Sequence, residues 1–550
     1  MGNEIENSNN IQGNATLDFT KLYNKVPYLK QINTPQRRNN NANNKGGKNN
    51  KGKDGEGDQP ADSTKSKEKV NYGKMVLDNA LRIATLVKKV SGTYALTNGQ
   101  VLPGFMPKAQ YFGMNSDGWT PGLGFVLGST FGPDDNVFEK AVAHSLNVED
   151  VKRWLTTDSI LSQPYTRRMT EAINYRVNTE PLQGLKIDFT GNRNYAENKQ
   201  HYFRYNQTLN DFEVFTPTNS GNFTMSYFMG ATSFVKTDSI SSKLFDNLLS
   251  NRKIIAERIA RNNPQWIDQV NEYTFDSIAG DYFPKGYGSG SMDVLLYSFI
   301  AAYTGQDASK MSLNPFPRFP LPNWTLTYNG LANIPAISNI FKTVSITHSY
   351  KSNYAINAWA SNVYYDENNT IQTFENSDLI VPKYDMAQIV LSEQYAPLIG
   401  IDLGLQNSMT ANLQYRKSRT LTLSFANNQL TEVNGFEIVV GAGYRIKNVS
   451  FAITPIGGGK PSTIKNDLVL KLDIGYKNDI TVLRRIDENN NQVSAGQDKI
   501  NIYVTADYTF SQRLSGQAFF KRDVAIPKVA NTFRNSTTFA GITLRFSLAQ

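Results

Sequence analysis

The chain ends on Thr537–Gln550, "TTFAGITLRFSLAQ", and this stretch decides the fold. Ala540, Ile542, Leu544, Phe546 and Leu548 are apolar, whereas Gly541, Thr543, Arg545 and Ser547 between them are small or polar. Strict alternation at period two makes a β-strand with one apolar and one hydrated face. The same grammar recurs upstream in "NWTLTYNGL", "TVSITHSY", "IGIDLGL", "MTANLQYRKSRTLTLSF", "GFEIVVGAGYRI", "DLVLKLDIGYK" and "INIYVTADYTF", and earlier in "LKIDFTG" and "NFTMSYFM". The pattern predicts an all-β protein, one long antiparallel meander with a few helical loop insertions.

Composition agrees. Charged residues are 19% of the 550, and the mean hydropathy is −0.44 although 39% of residues are hydrophobic. The polarity therefore comes from uncharged Asn, Thr, Ser and Gln, with 28 Tyr, a mixture suited to strands rather than to surface helices. Cysteine is absent, which excludes disulfides, thiol catalysis and Cys-ligated metals. The net charge of +9 is uneven: Gln36–Lys69 carries nine Lys/Arg and five Asp/Glu, hence +4. No basic stripe interleaved with aromatics exists elsewhere, so nucleic acid is not an expected partner.

Organisation follows from the same reading. Residues 1–35 form a short helix/strand lead-in, with Leu22, Val26 and Leu29 at helical spacing and Pro27 limiting the helix. Residues 36–69 are a disordered basic loop, too poor in apolar groups to offset ordering entropy. Strands over 70–235 carry a helical insertion at 136–156, where Asn147 is the expected N-cap of "LNVEDVKRWL". A helical and irregular insertion occupies 236–320; in it Leu244, Leu248, Ile255 and Ile259 make one stripe of a helix ending at Pro264. C-terminal strands fill 321–550. The start "MGNEIENSNN" has no apolar h-region, and the longest apolar run, "VLLYSFIAAY", is half of what a spanning helix needs.

The apolar face meets either a protein core or lipid. Strands of soluble proteins average ~5–6 residues, whereas lipid-spanning ones need ~9–11. Ala540–Leu548, Phe436–Ile446, Leu468–Tyr476 and Ile500–Phe510 meet the longer figure. Tyr350, Tyr444, Tyr476, Tyr508, Phe510 and Phe546 gather near strand ends, as interfacial girdles require. Parity then assigns Ile542, Leu544, Phe546 and Leu548 to lipid, and Lys471, Asp473, Asp507 and Arg545 to a hydrated lumen. A secreted soluble β-rich binding protein shares the alternation and stays open as an alternative, as does an independent, smaller porin-like outer-membrane barrel.

No active site emerges. His144, His201 and His348 share no short spacing with one another or with carboxylates. "PIGGGKPST" has Thr454 and Pro461 where a phosphate loop needs Gly and Ser or Thr. "DENNNQVSAGQD" offers Asp487, Asn489, Asn491 and Asp498 as oxygen donors, but Gln492 replaces the turn glycine of a calcium loop. No catalytic, cofactor-binding or metal residues are assigned.

Longer strings carry a resemblance. "YFPKGYGSGSMDVLLYSFIAAYTGQD", "PFPRFPLPNWTLTYNGL", "YRKSRTLTLSFANNQLTEVNGFEIVVGAGYRIKNVSF", "KNDLVLKLDIGYKNDITVLRRID" and "GITLRFSLAQ" resemble the C-terminal part of the SprA (Sov) family, from "KLYNKVPYLK" onward. These are the outer-membrane translocons of the type IX secretion system in Bacteroidetes, linked to gliding motility in gliding species. The resemblance implies part of a very large transmembrane outer-membrane β-barrel that passes cargo proteins to the cell surface. It implies as partners the remaining N-terminal strands of that barrel, a PorV-like outer-membrane protein, a periplasmic plug protein, cargo with type IX C-terminal signal domains, and the lipid bilayer. Family proteins are several times longer, so the chain is expected to be a C-terminal segment that needs the missing strands.

Overall fold

A computed structural model describes residues 2–33, 81, 85–108, 110–115, 118–128, 136–148, 152–237, 241–366, 370–374, 377–453, 462–488, 490–511, 513–529 and 533–547. The expected basic loop, the "GGGK" segment and Leu548 lie outside the described residues. Fourteen long strands run through the chain: β1 (Asn3–Asp18), β2 (Val87–Phe105), β3 (Tyr165–Leu182), β4 (Leu185–Asn206), β5 (Asp211–Ser226), β6 (Asn323–Tyr328), β7 (Phe341–Ser361), β8 (Gln388–Leu405), β9 (Met409–Ser424), β10 (Gln429–Ile453), β11 (Ser462–Arg485), β12 (Asn490–Thr509), β13 (Leu514–Pro527) and β14 (Asn535–Phe546). With a short strand at Tyr384–Met386 they form one 15-stranded antiparallel sheet. The meander with helical insertions is therefore the fold. Most strands are longer than the alternating cores: Phe436–Ile446 is the middle of the 25-residue β10. Backbone pairing runs on past the apolar segment through polar residues, which the alternation does not mark.

One sheet position is shared by two half-strands. β5 pairs Arg193–Asn206 of β4 and the far half of β7, while β6 pairs Leu185–Thr190 of β4 and the near half of β7. Between them the chain leaves the sheet after Ser226 and returns at Asn323. The exit is sealed by hydrogen bonds: Ser226 Oγ donates to the Leu321 carbonyl at 2.7 Å, and Leu321 N–H donates to the Ser226 carbonyl at 3.0 Å.

The described residues of 227–322 lie on the sheet as a cover. Its first long helix, Lys243–Arg261, is capped by Ser242, whose hydroxyl accepts from Phe245 N–H at 3.2 Å. The expected stripe is buried at Leu244, Leu248 and Ile255, and it packs on the second helix, Met292–Thr304. That second helix contains "VLLYSFIAAY" and is buried from Val294 to Thr304, as a helix apolar on all sides must be. Phe223, Met225, Tyr354, Ile356, Ile389, Leu391, Leu421 and Leu423 of the sheet meet both helices in one core.

A second, smaller cover is the helix Val137–Leu146, over Leu102, Tyr165 and Phe203. Asn136 caps it, accepting from Phe138 N–H at 3.1 Å, and Asn147 stands at its C-terminal end. This corrects the expected helix start at Asn147. The apolar run Val137–Leu146 finds a sheet to cover, whereas Trp154 and Leu155 join the same core outside any helix.

Two buried ion pairs fasten the large cover. Arg484 Nε donates to Glu432 Oε2 at 2.8 Å with both side chains fully buried, and the guanidinium lies 5.7 Å from the centre of the Phe245 ring. Arg419 pairs with Glu393 at 3.1 Å and donates to Thr232 Oγ1 at 2.9 Å; Glu393 also accepts from Tyr350 OH at 3.0 Å and Ser233 Oγ at 2.5 Å. Removing one member strands a desolvated charge, which costs about 3–5 kcal/mol. Arg484→Ala is expected to lose that much in denaturant unfolding, whereas replacing Arg484 and Glu432 together by Met and Leu recovers most of it.

Candidate functional site

The register sorts the side chains of the whole sheet into two faces. On one, rows of apolar residues run across consecutive strands: Val344–Leu403–Ala411–Ala442–Leu472–Val504–Phe520–Ala540, and beside it Ile346–Ile401–Leu413–Val440–Ile474–Ile502. Ile542, Leu544 and Phe546 belong to this face and are 77%, 65% and 63% exposed. Leu413, Val440, Leu472, Ile474 and Val504 are likewise exposed. A contiguous bare apolar surface of this breadth marks contact with lipid or with another protein.

Aromatic rows border the bare band. On one side Phe189, Trp324, Tyr350 and Tyr395 follow one another across four strands, and Tyr415, Phe436 and Tyr476 continue the line. Trp324 stacks on Tyr350 with centroids 4.4 Å apart. On the other side stand Tyr444, Phe451, Tyr508, Phe510 and Phe546, with Phe451 and Tyr508 in edge contact at 4.6 Å. Phe436 and Tyr444 lie eight residues apart on β10, or about 27 Å along a strand and about 20 Å once it is tilted as in barrels.

Both covers sit on this same apolar face, beyond the first aromatic border. Tyr354, Leu391 and Leu421 share their face with Ile346, Ile401 and Leu413, and only the former lie under the helices. One half of the face is thus a protein core and the other half is bare.

The opposite face is predominantly polar, with scattered apolar residues such as Val439, Phe519 and Phe539. Asn14–Thr93–Asn174–Asn192 is one row of it, and Ser345–Asp402–Asn412–Gly441–Asp473–Tyr503–Lys521 another. Lys471, Asp473, Asp507 and Arg545 all stand on it, facing away from Ile542, Leu544 and Phe546. Asp507 accepts from Gln517 Nε2 at 2.6 Å, and Arg416 pairs with Glu437 at 3.1 Å. Glycines flatten this face: Thr343, Thr410 and Thr347 lean over Gly404, Gly443 and Gly400, and Asn412 and Asp473 over Gly441, in space that a Cβ would fill.

The remaining candidates do not converge. His144 packs on Trp154, His201 lies between Phe138 and Tyr165, and His348 Nδ1 is 2.7 Å from the Leu398 carbonyl oxygen. Asn491 and Asp498 of the string that imitates a calcium loop fall in β12, where the backbone is extended. Among the described residues no cluster of three His, Asp or Glu side chains could hold a metal.

A cavity of about 570 Å³ between the large cover and the segment before β8 was not legible in the sequence. Asp293, in the first turn of the helix Met292–Thr304, lines it with Tyr287, Tyr297 and Tyr384. Burial pushes the Asp293 carboxyl up to about 6. An unfolded carboxyl titrates near 4, so the ionisation penalty is absent below that pH and grows as pH rises through about 6. Asp293→Asn is expected to gain up to about 3 kcal/mol above pH 7 and nothing near pH 4, measured as the pH dependence of the unfolding midpoint.

No family model and no curated protein matches the chain. Among solved structures it is similar to OmpT, an in-vitro folded outer-membrane protein of Vibrio cholerae in its trimer form, at 8% identity over 70% of this chain and 98% of that one, with a TM-score of 0.18. A likeness at that score carries no argument of its own, and the two-faced geometry stands without it.

Proposed function

We propose that the chain is the C-terminal part of a type IX secretion translocon, contributing wall strands to an outer-membrane barrel through which cargo proteins reach the cell surface. The observation that carries the membrane part is the bare apolar band between two aromatic borders about 20 Å apart, backed by a polar face. Outer-membrane barrels have an apolar band of about 25 Å flanked by such girdles. The translocon part rests on the resemblance of the long strings quoted above to the SprA family.

Two features support a wide conduit over a small pore. β1 and β14 are the two ends of the sheet and do not pair with each other. In lipid their free N–H and C=O groups need partners, so the working protein has further strands at these edges. The face assigned to the lumen is rich in Asn, Thr and Gly, a largely hydrated wall that offers a passing protein few apolar contacts. In this reading a PorV-like protein, a periplasmic plug and cargo signal domains are partners, the cell is of the Bacteroidetes type, gliding depends on the export in gliding species, and the chain performs no chemical catalysis itself.

Blotting the C-terminal strand in separated membranes of the native cell tests this. A heat-modifiable outer-membrane band far larger than 61.5 kDa is the expected result, and a soluble 61.5 kDa species would overturn the proposal. Leu413→Arg, in the middle of the bare band, is expected to cost about 2–4 kcal/mol of folding stability in vesicles, whereas Asp473→Asn on the polar face stays within about 0.5 kcal/mol.

A further inference from the structure

The large cover shares its face with the bare band, so its lower rim stands directly above the first aromatic border. Two aromatic side chains there stand outside the core beneath. Phe234 is 60% exposed, although its ring lies 5.5 Å from Tyr395 of the border, and the Lys417 ammonium sits 4.6 Å from its centre. Phe319 is 84% exposed and follows the exposed Arg318. Their segment is pinned to the sheet on both sides: the Pro317 carbonyl accepts from Arg193 Nε at 2.9 Å, and the Pro320 carbonyl accepts from Tyr175 OH at 3.0 Å. The Phe319 ring is therefore carried outward on a segment fixed to the sheet on both sides.

We infer that this rim is a lipid-headgroup contact: Phe234 and Phe319 extend the aromatic border off the sheet and onto the cover, Lys417 ties Phe234's segment to the sheet by donating to the Ser233 carbonyl at 2.6 Å, and the exposed Arg318 beside Phe319 meets lipid phosphates. The inference rests on the membrane reading of the bare band. Lipid is the occupant because the rim is continuous with that band along Trp324, Tyr350 and Tyr395, and Phe228 of the cover already packs on Trp324 and Tyr350 at 6.0 and 5.8 Å. Aromatic rings with basic neighbours are the side chains that the headgroup region favours. The cover thereby fixes how far the sheet can sink, because its polar body cannot enter the hydrocarbon.

The chain has no cysteine, so single nitroxides can be placed on the full chain without background. Phe234→Cys, Phe319→Cys, Leu413→Cys and Lys471→Cys would each be labelled and reconstituted in vesicles of phosphatidylcholine and phosphatidylglycerol. Collision with oxygen is then compared with collision with a water-soluble nickel chelate. The expected oxygen-to-nickel ratio at positions 234 and 319 is several-fold above that at 471 and several-fold below that at 413. A high ratio at 413 with ratios at 234 and 319 equal to that at 471 would overturn the rim contact alone. A ratio at 413 as low as that at 471 would overturn the membrane reading and the rim contact with it.

Discussion

Everything in this protein depends on the backbone hydrogen-bond ladder, because its register carries side-chain parity from one strand to the next. A slip by one residue would exchange the two faces of a strand. In β8 parity survives an interruption, since extra residues between Tyr395 and Ile399 leave both on the apolar face beside Lys417 and Tyr415. In β10, by contrast, the shift between Ile446 and Val449 moves that face from Tyr444 and Ile446 to Phe451. The apolar rows and the polar rows are therefore properties of the sheet as a whole. No single strand holds enough apolar surface to define a solvent.

Given one apolar face over so long a sheet, two ways of covering it coexist. Part is covered by the chain's own helices, which enter through the slot shared by β5 and β6 and are locked by Arg484–Glu432 and Arg419–Glu393. The rest stays bare between its aromatic borders. The buried charges of Arg484, Glu432, Arg419 and Glu393 at the covered end are tolerated because each finds a partner there. The bare rows of β9 to β12 contain none, Arg522 entering the second row only at β13. The division between core and open band falls at the row Trp324–Tyr350–Tyr395–Lys417, where aromatic rings, the ammonium of Lys417 and the rim of the cover meet.

Much of this was legible in advance. Period-two alternation located β4 to β12 and β14 but not β13, whose "LSGQAFFKRDVAIP" places Phe519 and Phe520 on opposite faces and Arg522 among the apolar positions. Parity separated Lys471, Asp473, Asp507 and Arg545 from Ile542, Leu544 and Phe546. β1 was not legible as a 16-residue strand, because "NEIENSNNIQGNATLD" has almost no apolar alternation and is held by its pairing with β2. The helix at Val137–Leu146 is capped by Asn136, eleven residues before the expected cap at Asn147, since both can cap a helix and only the underlying sheet chooses between them. The Asp293 cavity joins residues far apart in the chain and left no local trace.

The sequence by itself determined which residues alternate and which helices are amphipathic or wholly apolar, because these are properties of neighbours a few bonds apart. Tertiary structure alone decided that β5 and β6 share one position, that the cover lies on the apolar face, and that the apolar band ends at an aromatic row. Those outcomes depend on strand register and on contacts between residues separated by a hundred positions or more. Period and composition carry no information about either.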